Sequence, residues 1–200
     1  MARIGILGGS FHPFHRGHYL LGKYCLDQRL VDEVWFIPTG VSYLKRNIKM
    51  LSGEERLRLL QLGIQDEPNV KALDIEIKRA GNTYTYETLE ELNRIYPEHS
   101  FYFLIGADCL FQIETWRHSE RIFSACTLLV AQRDDISIEA MQDKIVELKE
   151  KYNANIELIN FPQIEISSTE IRERIHRGEG IEDLVPVPEA EEILRLHYFE

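Results

Sequence analysis

Residues 8–18 read GGSFHPFHRGH and place three histidines, His12, His15 and His18, at a spacing of three. Imidazoles this close can ligate a metal or donate hydrogen bonds to an oxyanion. The metal reading needs a helix to align the rings and further ligands to complete the set. Pro13 disfavours helical backbone at His12, and no nearby Cys or carboxylate completes a set. The oxyanion reading fits better. His15 and His18 straddle Gly17 just beyond the apolar run RIGIL, where two imidazoles can meet phosphoryl oxygens and match charge that develops during transfer. Gly8 and Gly9 let the backbone approach such a ligand closely.

A second candidate turn is ISSTEIRERIHRG, residues 166–178. Ser167, Ser168 and Thr169 offer hydroxyls and backbone N–H groups at a helix start, and Arg172 follows one turn in, within fork reach of the same phosphate. By itself this segment reads as a capped surface helix. Beside the first turn, phosphate binding becomes the better reading.

These turns must be held by a scaffold that alternates short apolar strands with amphipathic helices. Strands are expected at Arg3–Leu7, Glu33–Pro38, Val70–Ile77, Ser100–Ile105, Thr127–Ala131 and Ile156–Ile159, nearly continuous in apolar character, as strands covered on both faces are. Helices fit at His18–Gln28, at Gly53–Ile64 behind the capping box Ser52/Glu55, and at Tyr86–Tyr96 capped by Thr85. Further helices fit at Ile138–Tyr152, at Thr169–Arg177 capped by Ser168, and at Glu189–Leu196 after the turn VPVP. This alternation predicts an α/β fold: a Rossmann-like, doubly wound parallel sheet in a single domain, residues 1–200, with a small C-terminal helical portion over about 166–200. Residues 70–84 are more polar and can include an irregular excursion.

A formal charge of −10 argues against an extended nucleic-acid surface. Cys25, Cys109 and Cys126 contain no CxxC pair and read as small buried groups in a reducing compartment. No run approaches membrane-spanning length and MARIGILGG lacks the apolar core of a signal peptide, so a cytoplasmic protein with no membrane partner is expected. GxGxxG is missing and the second strand ends in Pro38 rather than an acid, which removes the main support for a resident dinucleotide.

HxGH early and ISSTxIR late resemble the paired motifs of the nucleotidylyltransferase superfamily. The whole chain resembles the nicotinate-nucleotide adenylyltransferase family through GGSFxPxHxGH, FIPTG followed by Lys45, TYTYETL, YPEHSFYFLIGAD, Trp116 and LVPVP. Two positions depart from the family pattern: His12 stands where Asp, sometimes Asn, is usual, and Leu44 stands where a His usually precedes Lys45.

The resemblance implies attack by the 5′-phosphate of nicotinate mononucleotide on the α-phosphorus of ATP, giving deamido-NAD and pyrophosphate without a covalent enzyme intermediate. It assigns His15 and His18 as catalytic, with His18 nearest the α-phosphoryl group. Gly8, Gly9 and Ser10 would make backbone contact with ATP, Lys45, Arg133 and Arg172 would meet β- and γ-oxygens, and Ser168 and Thr169 would hold a phosphate. Asp108 would meet ribose hydroxyls, Trp116 would stack on the pyridine ring, and Thr85 would sit by its substituent. Mg²⁺ would arrive with ATP, with no protein metal site, and a homo-oligomer is compatible with the pattern. The rival readings are an adenylyltransferase for nicotinamide mononucleotide or phosphopantetheine, a nucleotide-sensing binding protein, and a metal hydrolase built on the histidine triplet.

Overall fold

Short runs of β-branched and aromatic residues form the sheet, and the amphipathic segments between them form helices that flank it. The computed structural model describes residues 1–42, 50–132, 136–162 and 164–200. In chain order the elements are β1 (Arg3–Gly9), α1 (Arg16–Asp27), β2 (Glu33–Pro38), β3 (Val41–Ser42), α2 (Gly53–Ile64), β4 (Val70–Ala72), β5 (Asn82–Thr83) and α3 (Thr85–Ile95). They continue with β6 (Ser100–Gly106), α4 (Ala107–Gln112), a 3₁₀ turn (Ile113–Thr115), α5 (Ser119–Ala125), β7 (Thr127–Ala131), α6 (Ile138–Tyr152), β8 (Ile156–Ile159), α7 (Ser168–His176) and α8 (Val187–Arg195). Six strands make one parallel sheet in the order β4-β2-β1-β6-β7-β8. Counted along the chain these are strands 3-2-1-4-5-6, the Rossmann order, which reverses direction after β1. The expected α/β doubly wound sheet is the observed fold.

Two compact units make up the chain. The first comprises Met1–Leu7, Tyr24–Val34 and Tyr84–Gln163. In it β1 pairs with β6 (Ile4 opposite Phe101), β6 with β7 (Leu104 opposite Leu129) and β7 with β8 (Val130 opposite Leu158). Ile4, Leu128 and Val130 are fully buried, and α3 adds Leu89 and Leu92 while α6 adds Met141 and Leu148. Each such side chain stabilises by about 1.5–3 kcal/mol relative to exposure. Ser137 caps α6 by accepting from the Ala140 N–H at 3.1 Å.

The second unit comprises Gly8–Lys23, Trp35–Thr83 and Ile164–Glu200. Leu59 of α2, Ile171 and Ile175 of α7, Ile181, Leu184 and Val185 of the connection, and Ala190 and Ile193 of α8 form one buried cluster. The last 35 residues thus pack on α2, and the capping box Ser52/Glu55 opens α2 as expected, with bonds of 2.7 and 3.2 Å.

Several boundaries differ from expectation. Val70–Ile77 is not one strand: β4 stops at Ala72, and turns with β5 follow, β5 pairing in parallel with β3 in a two-stranded ribbon. The polar, charged character of DIEIKRAGN is the reason. Helix α1 starts two residues early, at Arg16, because the His15 carbonyl already accepts from the His18 and Tyr19 N–H groups. Thr85 is not the cap of α3 but its first residue, after Tyr84. Ser168 is not the cap of α7 either; Ser167 accepts from the Glu170 N–H at 3.1 Å and takes that role. Helix α8 begins at Val187 with Pro188 in its first turn, where a missing N–H costs nothing.

Candidate active site

The GGSFHPFH turn leaves β1 through a left-handed residue. Phe11 has φ of 45°, a conformation that costs a bulky side chain roughly 1–3 kcal/mol. Aromatic packing holds it there. Its buried ring makes edge contacts with Phe14 at 5.6 Å, Phe36 at 5.9 Å and His18 at 5.0 Å. Gly9 makes room, since a Cβ there would come within 2.9 Å of the Phe11 ring.

The two imidazoles after this turn are stacked. The His15 and His18 rings lie 3.6 Å apart between centroids at 25°, and Phe14 lies nearly parallel to His18 at 5.7 Å and 19°. Gly17 permits this arrangement: a Cβ there would sit 3.1 Å from His15 Nδ1. His15 is buried, and its Nδ1 has no hydrogen-bond partner among the described residues. Burial pulls its pKa down to about 4, so the ring is a neutral imidazole at pH 7.

The ISST segment straps the same turn from the far end of the chain. Ser168 Oγ donates to the Pro13 carbonyl at 2.9 Å, and Arg172 Nη1 donates to the His12 carbonyl at 2.7 Å. Arg172 Nη2 also donates to Thr169 Oγ1 at 3.1 Å. Ile171, fully buried in the α2–α7–α8 cluster, fixes which face of α7 carries Ser168 and Arg172. The LVPVP segment contributes as well, the Leu184 carbonyl accepting from the Arg16 N–H at 2.9 Å. Thus His15, His18, Gly8–Ser10, Ser168, Thr169 and Arg172 belong to one unit, with the two sequence motifs directly bonded.

His12 is buried, with its Nδ1 accepting from the Leu51 N–H at 3.4 Å and its ring meeting Phe199 edge-on at 4.8 Å. Its neighbour Arg56 was not among the expected site residues. Only 3% exposed, Arg56 donates to the carbonyls of Ser10 (2.7 Å), Thr39 (2.6 Å) and Leu51 (3.2 Å). One signal was legible: Arg56 occupies the inward stripe of α2, with Leu59, Leu60 and Ile64, where an unpaired charge is costly.

Thr85, Asp108 and Trp116 lie in the first unit. Helix α3 opens without a side-chain cap, and its start is flanked by aromatic and basic groups: Arg117 lies over Tyr84 at 5.1 Å and Arg121 over Tyr86 at 4.3 Å. Trp116, half-buried, meets Phe103 edge-on at 6.3 Å. Asp108 is exposed in the first turn of α4. Leu44, Lys45 and Arg133 lie outside the described residues. Among the described residues no three His, Cys, Asp or Glu are grouped to hold a metal, and no helix is long and apolar enough to cross a membrane.

A Rossmann-ordered sheet whose first strand feeds a histidine turn strapped by a C-terminal Ser/Arg segment defines a nucleotidylyltransferase-type protein. Residues 6–174 match the family model described as cytidylyltransferase-like. The chain is 39% identical over 186 residues to a protein of Lachnoclostridium phytofermentans named probable nicotinate-nucleotide adenylyltransferase, covering 93% of each chain. It is 38% identical to one of the same name from Dehalococcoides mccartyi, covering 94% of this chain and 92% of that one. The protein therefore belongs to the nicotinate-nucleotide adenylyltransferase family. In fold it resembles the nicotinic acid mononucleotide adenylyltransferase of Plasmodium falciparum, solved with NaAD, with a TM-score of 0.80 at 20% identity, covering 100% of this chain and 98% of that one.

Proposed function

We propose that the protein transfers AMP from ATP to nicotinate mononucleotide, giving deamido-NAD and pyrophosphate as a step of NAD biosynthesis. In this reading residues 1–200 work as one nucleotidylyltransferase domain. The observation that carries it is the strap: Ser168 and Arg172 hold the carbonyls of Pro13 and His12, which joins the two motifs around the stacked His15/His18 pair.

The mononucleotide phosphate is already an anion, so its attack on the α-phosphorus needs no general base. The protein's task is alignment and stabilisation of charge. His18 donates to the α-phosphoryl oxygens, and His15 donates to an adjacent phosphate while its ring supports that of His18. Gly8, Gly9 and Ser10 line the triphosphate with backbone. Lys45, Arg133 and Arg172 meet β- and γ-oxygens. A guanidinium has five N–H donors, so the two bonds Arg172 makes within the protein leave others for substrate. Thr169 and the N–H groups at the start of α7 hold a phosphate, whereas the Ser168 hydroxyl is committed to Pro13 and acts on the turn itself. Mg²⁺ enters as part of the Mg–ATP substrate, bound by phosphate oxygens and water. In the first unit Trp116 stacks on the pyridine ring, Thr85 and the uncapped start of α3 meet its carboxylate, and Asp108 meets ribose hydroxyls.

Incubation with Mg–ATP and nicotinate mononucleotide tests this. Release of pyrophosphate with matching formation of deamido-NAD is expected. ATP binding with no pyrophosphate released would indicate a nucleotide sensor, and release only with phosphopantetheine would indicate a sister transferase.

A further inference from the structure

We propose that Arg56 is a positioning residue that sets the shape of the triphosphate-binding turn through three backbone carbonyls. The inference deepens the function proposed above and rests on its assignment of Gly8–Ser10 and the histidine pair to ATP.

The three acceptors belong to three different loops. Ser10 closes the glycine turn after β1. Thr39 belongs to the turn after β2, and its own N–H donates to the Gly9 carbonyl at 2.8 Å. Leu51 precedes the capping box of α2, and its N–H reaches His12. One planar guanidinium therefore fixes the spacing of Ser10, Thr39 and Leu51, and through Gly9 and His12 it reaches both sides of the histidine turn. A lysine ammonium, a point donor on a flexible stem, cannot hold three carbonyls in one plane.

Burial at this site opposes the charge, and desolvation lowers the Arg56 pKa while the negative charge of Glu76 works against that shift. Glu76, itself buried, approaches from the irregular segment after β4. A carbonyl cage with a nearby carboxylate is a large expense if its only product is stability, since an apolar side chain in this stripe of α2 would pack without it. Its geometry is what an apolar residue cannot replace.

The test compares Arg56→Lys and Arg56→Met in the full-length protein. Binding of a non-hydrolysable ATP analogue and of nicotinate mononucleotide is measured separately by calorimetry, together with kcat, both KM values and the ligand-free melting midpoint. Each charge-assisted bond to the turn is worth enough that analogue binding should weaken about 10- to 100-fold in Arg56→Met, with Arg56→Lys recovering part. Binding of nicotinate mononucleotide alone should change less than about threefold, because Arg56 holds the turn assigned to ATP and not Thr85, Asp108 or Trp116, which are assigned to the pyridine ring and its ribose. Equal weakening of both ligands would show a general loss of structure and overturn the proposal, as would unchanged analogue binding. If Arg56→Met does not fold, Arg56→Lys decides alone by the same two ligands. Wild-type protein that binds the analogue yet releases no pyrophosphate would defeat the functional reading and leave the Arg56 comparison intact.

Discussion

His15 and His18 are stacked face to face with ring centroids 3.6 Å apart, one buried and the other half-exposed. Two imidazolium rings at this distance would repel, so the pair can carry at most one added proton at ordinary pH. Burial assigns the neutral state to His15. The His18 ring packs against those of His15, Phe14 and Phe11, and the proposed function assigns it to the α-phosphoryl group. The prediction is that His18→Ala lowers kcat by roughly 10²–10³ while weakening ATP binding much less, as expected of a donor that acts on the transition state. Steady-state kinetics beside direct binding of an ATP analogue would separate the two, and a variant keeping nearly full kcat would rule the role out.

The depressed His15 pKa has a consequence for stability. In the unfolded chain the ring takes a proton near pH 6.5, whereas the folded ring resists until about 4. Between these values the unfolded state binds more protons, so stability rises with pH and is lost as pH falls from 6.5 towards 4. The full effect is at most about 3 kcal/mol. Urea unfolding at pH 5.0 and 7.5 should show a smaller pH difference for His15→Gln than for the wild type. An unchanged difference would mean that the buried imidazole is not the cause.

Glu189 works in the opposite direction. Its carboxyl is fully buried in the first turn of α8, with neither oxygen making a full hydrogen bond among the described residues. Gly63 leaves room for it, since a Cβ there would lie 2.7 Å from Glu189 Oε2 and 3.1 Å from the Phe14 ring. Burial raises its pKa well above 4.5, against a smaller lowering by the Phe14 backbone N–H. The unfolded carboxyl ionises near pH 4.5 while the folded one stays protonated, so this group removes stability as pH rises. Glu189→Val should stabilise the protein by roughly 1–3 kcal/mol at pH 7.5, with the gain shrinking towards pH 4. Chemical denaturation at the two pH values is the check; a destabilised variant at pH 7.5 would show that the carboxyl makes a favourable contact.

The parallel sheet and the long helices were legible because hydrophobic period and strand length report burial directly, as in Ser100–Gly106 and Ile138–Tyr152. The two turns that the structure bonds together were legible as special segments because Gly8, Gly9, Gly17, Ser167 and Arg172 stand out from the helical and strand patterns around them. What was not legible depends on contacts remote in sequence. The commitment of Ser168 Oγ to Pro13, 155 positions away, cannot be seen in a local SxxE pattern. The short helices between Ala107 and Ala125 lack a full amphipathic period, and Arg56 looks like any charged helix residue until its place on the inward stripe is weighed.

His12, where the family usually has Asp, presents a ring nitrogen to the Leu51 N–H and an edge to Phe199. A carboxylate can accept the same N–H. His12→Asp should therefore leave activity at neutral pH within about tenfold, or ~1.4 kcal/mol of barrier. Stoichiometric zinc in the wild type that vanishes in this variant would overturn the reading of His12 as a loop residue and revive the metal one.

The proposed placement of the pyridine ring at the start of α3 predicts acceptor choice. Nicotinate and nicotinamide mononucleotides differ by a carboxylate against a neutral amide, so a preference requires groups that favour an anion. Helix α3 opens at Thr85 with no cap bond from the Tyr84 side chain, and Arg117 and Arg121 lie over the rings of Tyr84 and Tyr86 that flank Thr85. The dipole at a helix start and the nearby Arg117 favour negative charge, while Arg121 is already paired with Glu90. The amide's own NH₂ would instead face donors, leaving polar groups unmatched. Charge-assisted hydrogen bonds are worth roughly 1.5–3 kcal/mol, which predicts a preference for nicotinate mononucleotide on the order of 10- to 100-fold in kcat/KM. Trp116→Ala should weaken both substrates together, because stacking is blind to this difference in charge. Thr85→Ala should narrow the preference if its hydroxyl reads the carboxylate. Equal kcat/KM for the two mononucleotides in the wild type would sink this assignment and make the enzyme one of dual specificity.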